Sequence, residues 1–196
     1  MSTGRQPRIE PLRSPTGEVS QVLASGWQHN GAPLNAAATL AHHPRLLKRF
    51  TLFTGLFLGH SLLPARDREL LTLRSAYQNG VEYYVAHHVK PALVAGLSPA
   101  ELRGVSDENF AWTGRDRLVI TAADELVANA RLSDACWDEL AAVYTPAQLE
   151  EILFLPGYYR MMAGVVNTIG VELEDGMSER LSMVVGNPES HTLPAD

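Results

Sequence analysis

In the stretch Glu69-Leu70-Leu71-Thr72-Leu73-Arg74-Ser75-Ala76-Tyr77-Gln78-Asn79-Gly80-Val81-Glu82-Tyr83-Tyr84-Val85-Ala86-His87-His88, apolar residues recur at three and four on both sides of an Asn79-Gly80 break. That period is helical, and Asn-Gly is a helix-ending turn signal. The pattern predicts helices over 65–78 and 81–95, joined so tightly that they pack as antiparallel neighbours. On a wheel of about 100° per residue, Glu69, Leu73 and Ala76 share one face, flanked by Leu70 and Tyr77. Asp67, Arg74 and Gln78 fall on the other side. On the next helix His88 lies with Val81, Tyr84, Val85, Ala92 and Ala95, and His87, Lys90 and Tyr83 take a more polar arc. Glu69 and His88 therefore face one apolar seam. An unpaired carboxylate there is costly, so the two are expected to meet. A buried Glu–His contact has two readings, a satisfied structural pair or a proton-transfer pair in which the Glu orients the imidazole. Pro91, with no N–H to give the His87 carbonyl, is expected to bend the helix beside both histidines.

The same period extends through most of the chain. Helices are expected over about 18–27, 34–42, 44–59, 115–129, 134–144 and 146–169, with a short one opened by the capping box Ser98-Pro99-Ala100-Glu101. Thr145-Pro146 opens the last of these, and Pro156 is expected to kink it. No sustained period-two alternation appears, and the fold class is all-α. Pro7, Pro11, Pro15 and Gly17 mark residues 1–17 as a loose arm. Residues 18–176 form the helical domain, and 177–196 read as a polar tail.

A chain of 196 residues with 45 % hydrophobic residues suits one globular domain. A formal net charge of -6 supplies no cationic excess for nucleic acid. The longest apolar run, Phe50 to Leu63, is broken by Gly55, Gly59 and His60, so no membrane span is expected. The lone Cys136 rules out an internal dithiol and points to a reducing cytoplasm. At the start of a helix its thiolate is favoured; beside Trp137 it reads equally as a packed small residue. Neither His42-His43 nor His87-His88 has the helical spacing of a chelating pair, and no metal site is expected.

The run from Glu69 to Arg74, the run from Gly80 to His88, and Ala92-Leu93-Val94-Ala95-Gly96-Leu97-Ser98 resemble the carboxymuconolactone decarboxylase family of the AhpD-like superfamily. The resemblance covers roughly residues 34–175 and implies the AhpD-like helical fold. Peroxidase members carry a Glu, a CxxC pair, and a His four residues past the second Cys. Glu69 and His88 occupy the Glu and His positions, whereas Val81 and Tyr84 occupy those of the cysteines. Thiol-dependent peroxide reduction by that route is excluded. The decarboxylase-like branch has EYEW before its His; here the equivalent is Glu82-Tyr83-Tyr84-Val85, with Tyr84 in place of the second Glu and Val85 in place of the Trp.

The resemblance implies a cofactor-independent lyase acting on a small molecule, a carboxylated lactone or keto acid. Loss of CO2 leaves an enolate that must be protonated. In that scheme His88 is the proton donor, Glu69 orients it, and Tyr84 or His87 donates a hydrogen bond to the enolate. Arg74 either holds a substrate carboxylate or makes an inter-helix salt bridge, and Glu82 and Tyr83 complete the substrate contacts. Because a phenol is a poor base at neutral pH, Tyr84 also opens a second reading, an isomerase or cyclase on a related compound. A non-catalytic binding or scaffold member is the third, and it predicts a pocket sealed by Tyr84. Homo-oligomers, dimers to hexamers, are implied as well, with the apolar helices around Phe50–Leu58 and Met161–Ile169 between subunits.

Overall fold

The structure, a computed structural model, describes residues 6–186. Among these are ten helices and one two-stranded hairpin. The helices are α1 (Gly17–Ser25), α2 (Asn35–Leu40), α3 (Pro44–Leu58), α4 (Ala65–Gln78), α5 (Glu82–Val94), α6 (Pro99–Gly104), α7 (Gly114–Asn129), α8 (Asp134–Ala141), α9 (Pro146–Ile169) and α10 (Met177–Val185). Strands β1 (Gln28–His29) and β2 (Ala32–Pro33) pair antiparallel across Asn30 and Gly31, both at positive φ, as a two-residue hairpin turn requires. The helical class is as the sequence implies. None of the described helices is long and apolar enough to cross a membrane.

Helix α4 is the axle of the fold, packed against α5, α7 and α9. Leu70, Leu71, Leu73 and Ala76 are almost wholly buried, and so are Asp67 and Arg74 from the side expected to be polar. Surrounded on every side, α4 neutralises its polar residues internally. Arg74 makes a two-pronged contact with Asp124 on α7, Nε to Oδ1 at 2.6 Å and Nη2 to Oδ2 at 3.1 Å, and donates to the Val105 carbonyl at 2.6 Å. Tyr144 donates to Asp67 at 2.8 Å, and Arg115 lies 3.2 Å from the same carboxylate.

The turn between α4 and α5 closes as a Schellman motif. Gly80 at φ +63 lets its N–H reach the Tyr77 carbonyl, and the Val81 N–H reaches that of Ala76. The chain thus reverses in two residues and sets α5 beside α4. Helix α5 runs through Pro91 without interruption, as α9 does through Pro156.

Two segments differ from expectation. Residues 177–185 form α10, which buries Met177, Leu181 and Val184 against α5 and α6. These three stand at i, i+4 and i+7, enough to dock a short helix despite its polar remainder. The described part of the N-terminal arm is anchored too: the Arg8 N–H donates to the Ile169 carbonyl and that of Leu12 to Ala38. Cys136 is buried, and burial pushes its thiol up to about 11, so it packs rather than reacts.

Candidate functional site

Beside the α4–α5 seam lies a cavity of ≈ 500 Å³. Its walls are largely apolar, from Leu34, Leu40, Phe50, Leu58 and Tyr158, and the hairpin contributes Trp27 and His29. Glu69, Tyr84, His87 and His88 all reach it, together with Arg68, Lys90 and Arg180. Four residues expected at the site are therefore gathered in one place, and Tyr84 lines the cavity without sealing it.

Glu69 and His88 meet as their wheel positions require, Oε2 to Nδ1 at 2.7 Å. The other carboxylate oxygen of Glu69 accepts from Arg68, Nε at 3.0 Å and Nη2 at 2.8 Å. Burial drives the Glu69 carboxyl upward, but its contacts with His88 and Arg68 outweigh this and leave it below the ordinary value. An ionised Glu69 takes the hydrogen of His88 Nδ1. The far nitrogen of that ring, Nε2, lies 2.9 Å from the hydroxyl of Tyr159, a completely buried residue of α9. Desolvation raises the Tyr159 phenol well above its ordinary value, so Tyr159 keeps its proton and its hydroxyl donates a hydrogen bond to His88 Nε2.

His87 has its own carboxylate. Its Nε2 is 2.6 Å from Glu174 Oε2, and the other oxygen of Glu174 accepts from the Tyr83 hydroxyl at 2.6 Å and the Asn35 N–H at 2.7 Å. Burial draws the Glu174 carboxyl up; the hydrogen bonds from His87, Tyr83 and Asn35 prevail and hold it at about 2. Tyr83, with its phenol raised by burial and by Glu174, is turned to this network rather than to the cavity wall. Tyr84 is likewise raised by burial, and its ring makes an edge contact with that of Tyr159 at 5.5 Å.

Arg74 and Glu82, expected to hold substrate, stand elsewhere. Arg74 is spent on Asp124 and Val105, and Glu82 is exposed at the first turn of α5; neither lines the cavity. Three residues to which sequence reasoning assigned no role beside the histidines complete the site: Arg68, Tyr159 and Glu174. The last two lie 71 and 87 positions from their histidines, beyond the reach of any periodicity.

Residues 44–128 match the model described as "Carboxymuconolactone decarboxylase family". No curated protein matches the chain in sequence. Among solved structures, the debrominase Bmp8 in its apo form is 17% identical, with a TM-score of 0.75 over 89% of this chain and 96% of that one. An uncharacterized peroxidase-related protein from Silicibacter sp. TM1040 is 19% identical, with a TM-score of 0.75 over 92% of this chain and 99% of that one. A peroxidase-related protein with an alkylhydroperoxidase AhpD core, from Ralstonia eutropha JMP134, is 20% identical, with a TM-score of 0.69 over 91% and 97%. At these identities the structures speak for the fold. Residues 44–128, which carry Glu69, Tyr84, His87 and His88, are thus similar to the carboxymuconolactone decarboxylase family, and the chain shares its fold with AhpD-like proteins.

Proposed function

We propose that this protein is an enzyme that decarboxylates a small carboxylate-bearing lactone or keto acid, or performs closely related proton transfer on one, by way of an enolate. The observation that carries this reading is the cavity itself, where two imidazole–carboxylate pairs meet an apolar chamber with a cationic rim. Among the described residues, Glu69 is the only acidic one in the lining, and Arg68 neutralises it. Lys90 and Arg180 make no ion pair among the described residues, so the chamber has net positive charge to offer an anion. Apolar walls strengthen those attractions by excluding water.

The reaction places few demands on the protein. The C–C bond to the departing carboxylate breaks, its electron pair enters the substrate's own carbonyl as an enolate, and CO2 leaves. An imidazole then supplies the proton to carbon and regains one from solvent. Hydrogen-bond donors such as the Tyr84 phenol suit the developing oxyanion. Its raised proton affinity keeps Tyr84 a donor and not a base.

The direct test is CO2 release from γ-carboxymuconolactone and from simple β-keto acids, by wild type and by Ala37→Trp, which fills the cavity from its wall. Release by wild type and not by Ala37→Trp is the expected result. No release from any of these substrates overturns decarboxylation.

We also infer that the chain self-associates. Leu52 and Leu56 on α3 and Phe154 and Met161 on α9 are all at least half exposed, an apolar surface that a second copy would cover.

A further inference from the structure

Neighbouring residues of one helix leave it about 100° apart, and on α5 each of two adjacent histidines finds a different carboxylate. The consequences for the two rings are opposite. His88 has both nitrogens engaged, Nδ1 with Glu69 and Nε2 with Tyr159. His87 uses only Nε2, against Glu174; among the described residues its Nδ1 has no hydrogen-bond partner. Both rings border the same cavity.

The surroundings of Glu174 determine which tautomer His87 adopts. Its carboxylate accepts from Tyr83, from the Asn35 N–H and from His87 Nε2, so the hydrogen of His87 sits on Nε2. The remaining nitrogen, Nδ1, is the one through which that ring exchanges protons. A carboxylate at Nε2 also stabilises the positive ring formed whenever Nδ1 takes up a second proton, and it fixes the ring plane. The network is braced from further out: Asn35 donates to the Glu172 carbonyl at 3.0 Å and accepts from Arg13 at 2.9 Å. The hairpin adds His29, whose ring stands edge-on to His87 with centroids 6.4 Å apart and whose Nε2 lies 3.0 Å from the Asp175 carbonyl.

We propose that His87, positioned by Glu174, is the imidazole that exchanges a proton with the substrate's carbon, and that His88 serves as a strut between α4, α5 and α9. The assignment rests on reading the cavity as a proton-transfer site and names the group that acts there. In decarboxylation the imidazolium of His87 gives its Nδ1 proton to the enolate carbon as CO2 departs. In the reverse sense, neutral Nδ1 takes a proton from the carbon beside a ketone, leaving an enolate that returns it. Glu174 acts only through His87.

The experiment has two arms on the full chain. Nitrogen-15 NMR of the imidazoles reads the tautomers without any activity: His87 should carry hydrogen on Nε2 with Nδ1 bare, and His88 on Nδ1. In Glu174→Gln the His87 ring should become a mixture of tautomers while His88 keeps its own. The second arm follows deuterium uptake from D2O next to the ketone of 4-oxopentanoate, which requires proton exchange but no loss of CO2. His87→Asn should slow uptake by about 100-fold or more, and His88→Gln by less than about 10-fold in the folded fraction. Uptake that survives in His87→Asn, or a His87 ring protonated on Nδ1 in the wild type, overturns the assignment. Uptake without CO2 release from any lactone or keto acid overturns decarboxylation and leaves His87 in place. With neither uptake nor release, a His87 Nδ1 resonance unmoved by 4-oxopentanoate overturns the assignment, and one that shifts upholds His87 as the ligand-facing ring.

Discussion

The Tyr159 hydroxyl stands 2.9 Å from Nε2 of His88, while the Glu69 carboxylate meets Nδ1 of the same ring at 2.7 Å. One imidazole thereby joins α4, α5 and α9 through a continuous polar chain inside an apolar core. Tyr159→Phe removes the donor, leaves Nε2 without its partner, and changes almost nothing in volume. The cost of such an orphaned buried group is about 1–3 kcal/mol. Urea unfolding should show a loss in that range, with proton-transfer activity per folded molecule reduced much less than by His87→Asn. A loss below about 0.5 kcal/mol would mean that the contact does not brace the seam.

The Glu174 carboxyl makes stability depend on acid. It ionises at about 2 in the folded chain against 4.5 in its ordinary state, because His87, Tyr83 and Asn35 outweigh its burial. A carboxyl lowered on folding stabilises fully above its unfolded value, and that contribution disappears as pH falls toward the folded one. Glu69 is shifted in the same direction by His88 and Arg68 against its own burial. Glu174→Gln should therefore be least stable relative to wild type at neutral pH, by about 2 kcal/mol. The gap should narrow between about pH 4.5 and pH 2. Thermal unfolding at a series of pH values reads it, and a gap constant with pH would mean that the charge of Glu174 contributes nothing.

Arg74 separates structure from substrate binding. Its guanidinium is buried, donates two hydrogen bonds to Asp124 and one to the Val105 carbonyl, and stands off the cavity. Arg74→Ala leaves Asp124 and that carbonyl unpaired and opens space beside α7, an expected loss of about 2–4 kcal/mol. KM for any substrate should stay within about twofold of wild type in the folded fraction. A rise in KM of about tenfold, worth about 1.4 kcal/mol, would return Arg74 to the substrate.

The cationic rim predicts the opposite split. Lys90 is exposed, Arg180 half-buried, and neither makes an ion pair among the described residues, so Lys90→Ala and Arg180→Ala should each change stability by less than about 0.5 kcal/mol. Each removes positive charge from the mouth of the chamber, and KM for an anionic substrate should rise severalfold and become less sensitive to salt. Unchanged KM in the double variant would place the substrate's carboxylate elsewhere.

How much of this was legible before folding depended on the range of each interaction. Helix α4 was readable to the residue, since its period is regular and Asn79-Gly80 stops it. The meeting of Glu69 with His88 followed, because a two-residue turn leaves an antiparallel pair little choice of register. The polar half of the α4 wheel was misleading. Asp67, Arg74 and Gln78 look like a solvated face, but Asp67 and Arg74 are buried, one bonded to Tyr144 and the other to Asp124 on α7, and only Gln78 stays exposed. Tyr159 and Glu174 come from outside the matched span and reach the site only through tertiary packing. Two signals were present and quiet: Asn30-Gly31, which makes the hairpin over the cavity, and the spacing of Met177, Leu181 and Val184, which docks α10.

Self-association can be tested at the exposed apolar residues of α3 and α9. Leu52 is 70% exposed and Phe154 58%, in a chain whose net charge of -6 otherwise favours solubility. Side chains of this size left in water forfeit about 1.5–3 kcal/mol each relative to burial, which is what a partner copy recovers. Leu52→Glu combined with Phe154→Glu places charge on that surface and leaves the core residues Leu47, Phe57 and Leu155 untouched. Light scattering coupled to size exclusion should find wild type as a dimer or larger and the double variant as a monomer with unchanged helical content. A wild type that runs as a monomer at all accessible concentrations overturns self-association. A double variant that keeps the wild-type assembly places the interface on a different surface.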